Sequence, residues 1–188
     1  NGREFDFKNG VLKSGWIEVC KEHQGRGLGR HVLRNEMEFF YLCGVRRFEI
    51  YATLSAGGYA WADMGFVPIP GNIEAESKVA QHYKALRPFL DIREKLEIDQ
   101  QRDKGLQKIF SAAANCKRNI TPILDDIFKK SHANATYEEK VLKEDLSHLK
   151  NRTEEGKRVS VGQALLLDTS WEGYIDMTDA EQMARVEK

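Results

Sequence analysis

The pattern of apolar and polar residues predicts a β-hairpin, a helix and a further strand at the start of the chain. Residues 4–7 and 15–20 have the composition of strands, and the turn between them contains Asn9-Gly10, a strong hairpin signal. Residues 28–43 place apolar side chains on one helical face, and Gly44 follows where a helix is expected to end. Residues 46–54 alternate apolar and polar positions, which predicts a half-buried strand.

Several glycines follow this strand. Gly57-Gly58 predicts a break in the backbone, and a short helix over residues 59–62 is expected to end at Gly65. The segment 72–150 then contains a single glycine, Gly105. The composition therefore changes sharply near residue 71, which divides the chain into a glycine-rich part and a part of different structure.

The second part predicts helices with narrow apolar stripes. Leucine and isoleucine recur at helical spacing between charged residues, and Thr121-Pro122 reads as an N-cap followed by the first residue of a helix. Such stripes predict an antiparallel helical hairpin or small bundle that packs on something else. Residues 162–167 are β-like again, and a capping box that begins at Thr178 predicts a final helix.

These elements place the chain in the α+β class, with a mixed β-sheet, flanking helices and a helical insertion or appendage. We expect a core at residues 1–71, a helical segment at 72–158, and a C-terminal strand and helix at 159–188 that pack back on the core. The length of 188 residues suits one or two domains, because a domain usually has roughly 100 to 150 residues.

Charge and composition narrow the function classes. Lysine plus arginine and aspartate plus glutamate number 29 each, so the formal net charge is zero and a generally basic nucleic-acid or membrane binder is not expected. No apolar run has the roughly 20 residues needed to span a bilayer. The cysteines, Cys20, Cys43 and Cys116, form neither a disulfide framework nor a zinc motif, and no other residues form a metal constellation, so an intracellular setting without a metal is expected.

One segment carries a specific chemical signal. Between a predicted strand and a predicted helix, residues 24–30 read Gln-Gly-Arg-Gly-Leu-Gly-Arg. Backbone N–H groups and the positive end of a helix dipole meet there, and Arg26 and Arg30 can add charge-assisted bonds. The segment therefore predicts an anion site. It lacks the Lys-Ser/Thr of a Walker loop, and the following strand lacks the terminal acid of a dinucleotide fold.

The pattern that remains resembles the GCN5-related N-acetyltransferase family, whose acetyl-coenzyme A loop has the form Gln/Arg-x-x-Gly-x-Gly/Ala. Gln24, Gly27 and Gly29 match it, and the likeness continues through the strand 46–54 to Gly65-Phe66. The likeness covers roughly residues 3–70. The sequence of residues 57–66 resembles that of a divergent branch of the family, which includes phage virion-associated proteins and bacterial effectors. A domain of this family is expected to begin before Asn1.

The resemblance implies where acetyl-coenzyme A binds, in a V-shaped split between two parallel strands of a splayed sheet. The pantetheine arm would pair with the main chain of residues 17–20, where a splayed strand leaves N–H and C=O groups unpaired, and the pyrophosphate would lie on residues 24–30. The implied coenzyme contacts are Ile17, Val19, Cys20, Gln24, Gly25, Arg26, Gly27, Leu28, Gly29 and Arg30. Arg46 and Arg47 are either solvent-exposed residues at the start of the strand or contacts of the coenzyme 3′-phosphate.

Catalysis in this family needs a base for the amine and an acid for the departing thiolate. Glu18 is the candidate base, with an ordinary exposed strand carboxylate as the alternative reading. Many members carry a tyrosine four residues before the glycine of Gly-Phe, but Trp61 stands there, and an indole proton is essentially not transferable. Tyr59 is the candidate acid, although it lies about 200° around a helix from Trp61. Other groups within reach are Cys20, Thr53, His23 and His31.

Two functions follow from these observations. The first is an acetyl-coenzyme A-dependent N-acyltransferase that acts on an amine or protein acceptor of unknown identity. The second is a degenerate acetyltransferase fold that serves as a structural or interaction module of a larger protein, with the helical segment contacting a protein partner. The expected location is the cytoplasm, or the virion if a phage encodes the chain.

Overall fold

A five-stranded mixed β-sheet organises the chain in the computed structural model, which describes residues 3–14, 20–23, 26–52, 54–102 and 104–187. The strands are β1 (Arg3–Asp6), β2 (Val11–Ser14), β3 (Arg47–Ala52), β4 (Val67–Pro68) and β5 (Trp171–Asp176). Their spatial order is β1-β2-β3-β5-β4. Of these described strands, only β2 and β3 run parallel as neighbours, and every other neighbouring pair is antiparallel. The α+β class is confirmed.

The opening hairpin is confirmed, but its second strand begins earlier than predicted. Gly10 has a φ of +64°, which glycine adopts without strain, and the Asp6 side chain accepts hydrogen bonds from Asn9. The turn therefore closes at Gly10, and β2 starts at once with Val11. Residues 15–19 of the strand predicted at 15–20 lie outside the described residues, and Cys20 lies in an irregular segment.

One face of the sheet is buried and the other carries polar residues. Leu12, Phe48 and Ile175 lie side by side in the register and are fully buried. The adjacent row on the opposite face contains Lys13 and Glu49. Because side chains alternate along a strand, this register sets one row toward the core and the next toward solvent.

The helix that connects β2 to β3 is α1 (Leu28–Leu42), as the pattern predicted. Leu33, Met37 and Phe40 form its buried stripe, and the Phe40 ring lies 5.2 Å from that of Phe5 on β1. The chain then leaves the helix through Gly44, whose φ is +93°. An amphipathic helix of this kind covers the apolar face of the sheet.

The predicted break at Gly57-Gly58 is wrong, because helix α2 (Leu54–Asp63) runs through both glycines. A Cβ atom on Gly58 would lie 2.4 Å from the carbonyl oxygen of Leu166 and 2.4 Å from Oγ1 of Thr169. Gly58 therefore permits close packing of α2 on a distant segment instead of interrupting the helix.

The segment that contains Trp171, Gly173 and Tyr174 forms the strand between β3 and β4. Trp171 is 1% exposed, and its ring covers Gly173, where a Cβ would meet the indole at 2.1 Å. Phe110 contacts the same indole edge-on, with 5.1 Å between ring centroids. Trp171 is thus a central core residue.

Helices occupy the segment between β4 and β5, as predicted for residues 72–150. They are α3 (Ile73–Leu86), α4 (Ile92–Arg102), α5 (Leu106–Asn115), α6 (Thr121–Lys129), α7 (Tyr137–Asp145), α8 (Lys150–Glu154) and α9 (Val161–Leu166). Short 3-10 turns lie at Arg87–Phe89 and Ser147–Leu149. Pro122 is near the start of α6, but Ile120 and not Thr121 precedes the helix as its N-cap.

The β-like reading of residues 162–167 is wrong, because α9 occupies this run. Ser160 and Gln163 form a capping box around its first turn. Gly162 packs against α5, where a Cβ would lie 2.2 Å from the carbonyl oxygen of Ala113. A short apolar run is consistent with either a buried strand or a buried helix, and here the cap favours the helix.

The chain ends with α10 (Ala180–Val186), which follows β5. Asp179 is its N-cap and accepts hydrogen bonds from the backbone N–H groups of Glu181 and Gln182. The cap therefore lies one residue after the predicted Thr178. Across the described part of the chain, no helix has both the length and the apolar character needed to cross a membrane.

Candidate functional site

The predicted anion loop leads into the N-terminus of α1. A 3-10 turn at Lys21–His23 precedes it, and Gly27 is the N-cap, with a φ of +77°. Among the residues that the structure describes, no side chain caps this end, and the first turn contains no acidic residue. The first N–H groups of α1 and the positive end of its dipole therefore remain available to an anion.

Space in front of Gly27 is open. A Cβ placed on this residue would meet no described atom within 4 Å, so its requirement for glycine is one of backbone conformation. Arg26, Gly27 and Leu28 are exposed, and Gly29 and Arg30 are partly buried. This part of the loop is thus accessible to a ligand.

Five of the predicted site residues lie outside the described residues. They are Ile17, Glu18, Val19, Gln24 and Gly25. The roles expected for them, including that of Glu18 as the base, stay predictions. Cys20 is described and exposed.

The described part of the β2–β3 ladder runs from Val11 with Arg47 to Ser14 with Ile50, and residues 15–19, which follow β2, lie outside the described residues. On the other side of β3, Tyr51 and Ala52 pair with β5. A cavity of about 260 Å³ lies at this point, and Lys13, Ser14, Ile50 and Tyr51 contribute to its lining.

A polar cluster, which we call the Asp63 cluster, lies beside the N-terminus of α1 and consists of Arg30, Asp63, Lys117 and Arg185. The Asp63 carboxylate binds Arg30 Nη2 at 3.0 Å through one oxygen and Lys117 Nζ through the other. Arg30 also donates to the carbonyl oxygen of Arg185, and Arg185 donates to that of Ala62 at 2.9 Å. Residues of α1, α2, α10 and the segment after α5 therefore meet at one point.

Tyr59 adjoins this cluster. Lys117 Nζ donates to the Tyr59 hydroxyl at 2.8 Å and lies 5.1 Å from the centroid of its ring. Burial acts to lower the pKa of Lys117, but its hydrogen bonds to Asp63 and Tyr59 outweigh burial, so this pKa is raised. Lys117 is therefore a firmly charged ammonium at neutral pH.

Trp61 belongs to the core. It is 9% exposed, and its ring packs edge-on against Phe66, with 4.9 Å between centroids. Two positions earlier, Tyr59 presents its hydroxyl to Lys117 instead. The two residues are roughly 200° apart around α2, so the side chain of Trp61 lies in the core while that of Tyr59 lies in a polar environment.

Arg46 and Arg47 lie at the start of β3 and have partners there. The Arg46 guanidinium lies 4.2 Å from the centroid of the Tyr41 ring and donates to the carbonyl oxygen of Tyr41 at 2.8 Å. Arg47 lies 3.9 Å from the centroid of the Tyr174 ring and pairs with Glu49. Tyr41 is near the end of α1, so these arginines are a helix length away from the loop that precedes it.

Nucleophilic and metal-binding groups add little to the site. Burial raises the pKa of the Cys116 thiol to about 12, so this cysteine is an unreactive core residue. Within the described ranges, no three histidine, cysteine, aspartate or glutamate residues lie close enough together to hold a metal ion.

No local pattern in the sequence indicates the Asp63 cluster, because Lys117 lies 54 positions from Asp63 and Arg185 lies 155 positions from Arg30. Each residue alone reads as an ordinary surface charge. In comparisons with known proteins, no family model, no curated protein and no solved structure matches this chain.

Proposed function

We propose that the chain is an acetyl-coenzyme A-dependent N-acyltransferase that transfers an acetyl group to an amine. The observation that carries the proposal is the N-terminus of α1, which no described side chain caps and which lies in the connection between the parallel strands β2 and β3. Such an end binds phosphate through main-chain N–H groups and the helix dipole. The pyrophosphate would lie on residues 24–30.

The parallel pair β2–β3 is where the proposal places the pantetheine arm. The described part of this ladder ends at Ser14 and Ile50. Main-chain groups on a strand edge need partners, and the amide-bearing pantetheine arm has matching donors and acceptors. The reactive thioester would then lie beyond the last β2–β3 pair, near the cavity at Tyr51.

The reaction requires two proton transfers. The neutral amine attacks the acetyl carbonyl, the tetrahedral intermediate expels the coenzyme thiolate, and a C–N bond replaces the C–S bond. The amine proton passes to a base, for which Glu18 is proposed, and the thiolate takes a proton from an acid, for which Tyr59 is proposed. Because Tyr59 accepts from Lys117, its own hydroxyl proton is left for donation.

Calorimetry with acetyl-coenzyme A tests the proposal. Binding should appear as heat, and as a rise in unfolding free energy of about 2.7 kcal/mol at 100 times the dissociation constant. Gly27→Glu should abolish both effects, because it places a negative charge where the pyrophosphate lies. Gly156→Glu is a matched control, since Gly156 also has a left-handed φ of +68° and open space around its Cβ position.

The second candidate function is a non-catalytic interaction module, and the position of Trp61 favours it. The indole is committed to the core, so the usual acid is missing from the site. The helical segment exposes the apolar residues Ile73, Ile92, Leu96 and Tyr137, which a protein partner could contact. Absence of both heat and stabilisation with acetyl-coenzyme A would favour this module over the enzyme.

A further inference from the structure

The Asp63 cluster contains more positive than negative charge. Arg30, Lys117 and Arg185 are cations, and Asp63 is the one carboxylate that belongs to the cluster as defined. Three positive charges against one negative charge leave a positive surplus, which Glu181, four residues before Arg185 on α10, reduces. A cluster with that surplus attracts an anion.

Arg185 is the cation of the Asp63 cluster whose positive charge is least compensated. It is partly buried, its guanidinium donates to the neutral carbonyl of Ala62, and within the described residues it forms no ion pair with a carboxylate. Burial lowers the pKa of this guanidinium, and the charge of Arg30 acts in the same direction, against the opposing effect of Asp63 and Glu181. A further anion near Arg185 would offset both effects, because a nearby negative charge stabilises the charged guanidinium.

The cluster is open to solvent and borders the anion loop. Lys117 has a side chain that is 54% exposed, whereas those of Arg30 and Asp63 are 25% and 29% exposed. Arg30 is the third residue of α1, so the cluster lies next to the loop expected to hold the pyrophosphate. A second phosphate on the same ligand would therefore be within reach of Lys117.

On the basis of the proposed function, we propose that Lys117, Arg30 and Arg185 bind the 3′-phosphate of coenzyme A. A phosphate monoester carries about 1.5 to 2 negative charges at pH 7, and the positive surplus of the cluster attracts it. Lys117 donates to Tyr59 and Asp63, so the third donor of its ammonium can bind a phosphate oxygen. The helical segment, which carries Lys117, thereby completes the coenzyme site.

The test compares acetyl-coenzyme A with its 3′-dephospho analogue at fixed ionic strength. The unaltered protein should bind acetyl-coenzyme A at least about 10-fold more tightly than the 3′-dephospho analogue, as expected for a charge-assisted hydrogen bond. Lys117→Gln should lower this ratio several-fold, because Arg30 and Arg185 remain, and Lys117→Arg should keep most of it. Lys129→Gln is the control, since Lys129 lies on α6 with an 81% exposed side chain and pairs with Asp125 one turn away.

The outcomes separate this inference from the proposed function. Equal affinity of the unaltered protein for both coenzymes would overturn the phosphate subsite while leaving the acyltransferase proposal intact. The subsite is also overturned if Lys117→Gln keeps the affinity ratio of the unaltered protein. Failure to bind either coenzyme would instead overturn the proposed function itself. Circular dichroism of each variant shows whether the fold is retained.

Discussion

Lys117 donates a hydrogen bond to the hydroxyl of Tyr59 over 2.8 Å, although the two residues are 58 positions apart in sequence. Tyr59 belongs to α2, whereas Lys117 follows α5 in the helical segment. The contact joins the glycine-rich part of the chain to the helical part at the candidate site. Changes in the helical segment are therefore expected to affect ligand binding.

Tyrosine at position 61 should not restore an acid. Trp61 packs on Phe66 in the core, so the hydroxyl of Trp61→Tyr would be buried without water. We expect a loss of about 1 to 3 kcal/mol in unfolding free energy and no gain in acetyl transfer. Urea denaturation and a thiol-release assay measure the two effects. A faster reaction would show that position 61 faces the coenzyme after all.

Tight packing at Gly58 predicts that Gly58→Ala destabilises the protein. The new methyl group would lie 2.4 Å from the Leu166 carbonyl oxygen, so α2 must move away from the segment that follows α9. The expected loss of unfolding free energy is about 1 to 3 kcal/mol or more. Ala60→Ser, at an exposed position of the same helix, should change it by less than about 0.5 kcal/mol. Equal stability of Gly58→Ala and the unaltered protein would contradict the packing.

The ion pair of Arg118 with Glu94 should stabilise the helical segment. Arg118 donates to the two carboxylate oxygens of Glu94 at 3.0 and 2.6 Å, and Glu94 is only 7% exposed. Glu94→Gln should lower the unfolding free energy by about 1 to 3 kcal/mol, because a charged hydrogen-bond partner is lost. Glu38→Gln, in the exposed pair with Arg34, should cost at most about 0.5 kcal/mol. Similar losses in both variants would argue against a special role for Arg118.

Two histidines should make stability depend on pH. The rings of His82 and His148 lie 5.3 Å apart, and burial lowers the pKa of both, that of His148 to about 4. The unfolded chain, with a histidine pKa near 6.5, binds more protons than the folded chain between about pH 6.5 and 4. Stability is therefore fully present above about pH 6.5 and falls as the pH drops toward 4.

The comparison with His148→Leu isolates this effect from the titration of carboxylates. Denaturation midpoints of both proteins should be measured between about pH 7.5 and pH 5, where most carboxylates stay ionised. We expect the denaturation midpoint to decrease less with falling pH for His148→Leu than for the unaltered protein. Parallel curves would mean that His148 is protonated as readily in the folded state as in the unfolded state.

Elements with a strong local pattern were predicted from the sequence. The helix expected at residues 28–43 is α1 (Leu28–Leu42), because its buried stripe and Gly44 are local signals. The hairpin turn at Asn9-Gly10 and the strand β3 follow for the same reason. At Gly58 the local rule failed because close packing against a distant segment requires glycine within the helix. At residues 162–167 the strand prediction missed a local signal, the capping box of Ser160 and Gln163.

The candidate site divides in the same way. The sequence by itself predicted that α1 follows the glycine-containing residues 24–30, because these signals are adjacent in the chain, and α1 begins at Leu28. Anion binding by this segment stays a prediction. The tertiary structure decided that Asp63 binds Arg30 and Lys117, and that Trp61 belongs to the core while Tyr59 faces a cation. These charges are tens of positions apart, so their interaction exists only after the helical segment has packed against α2.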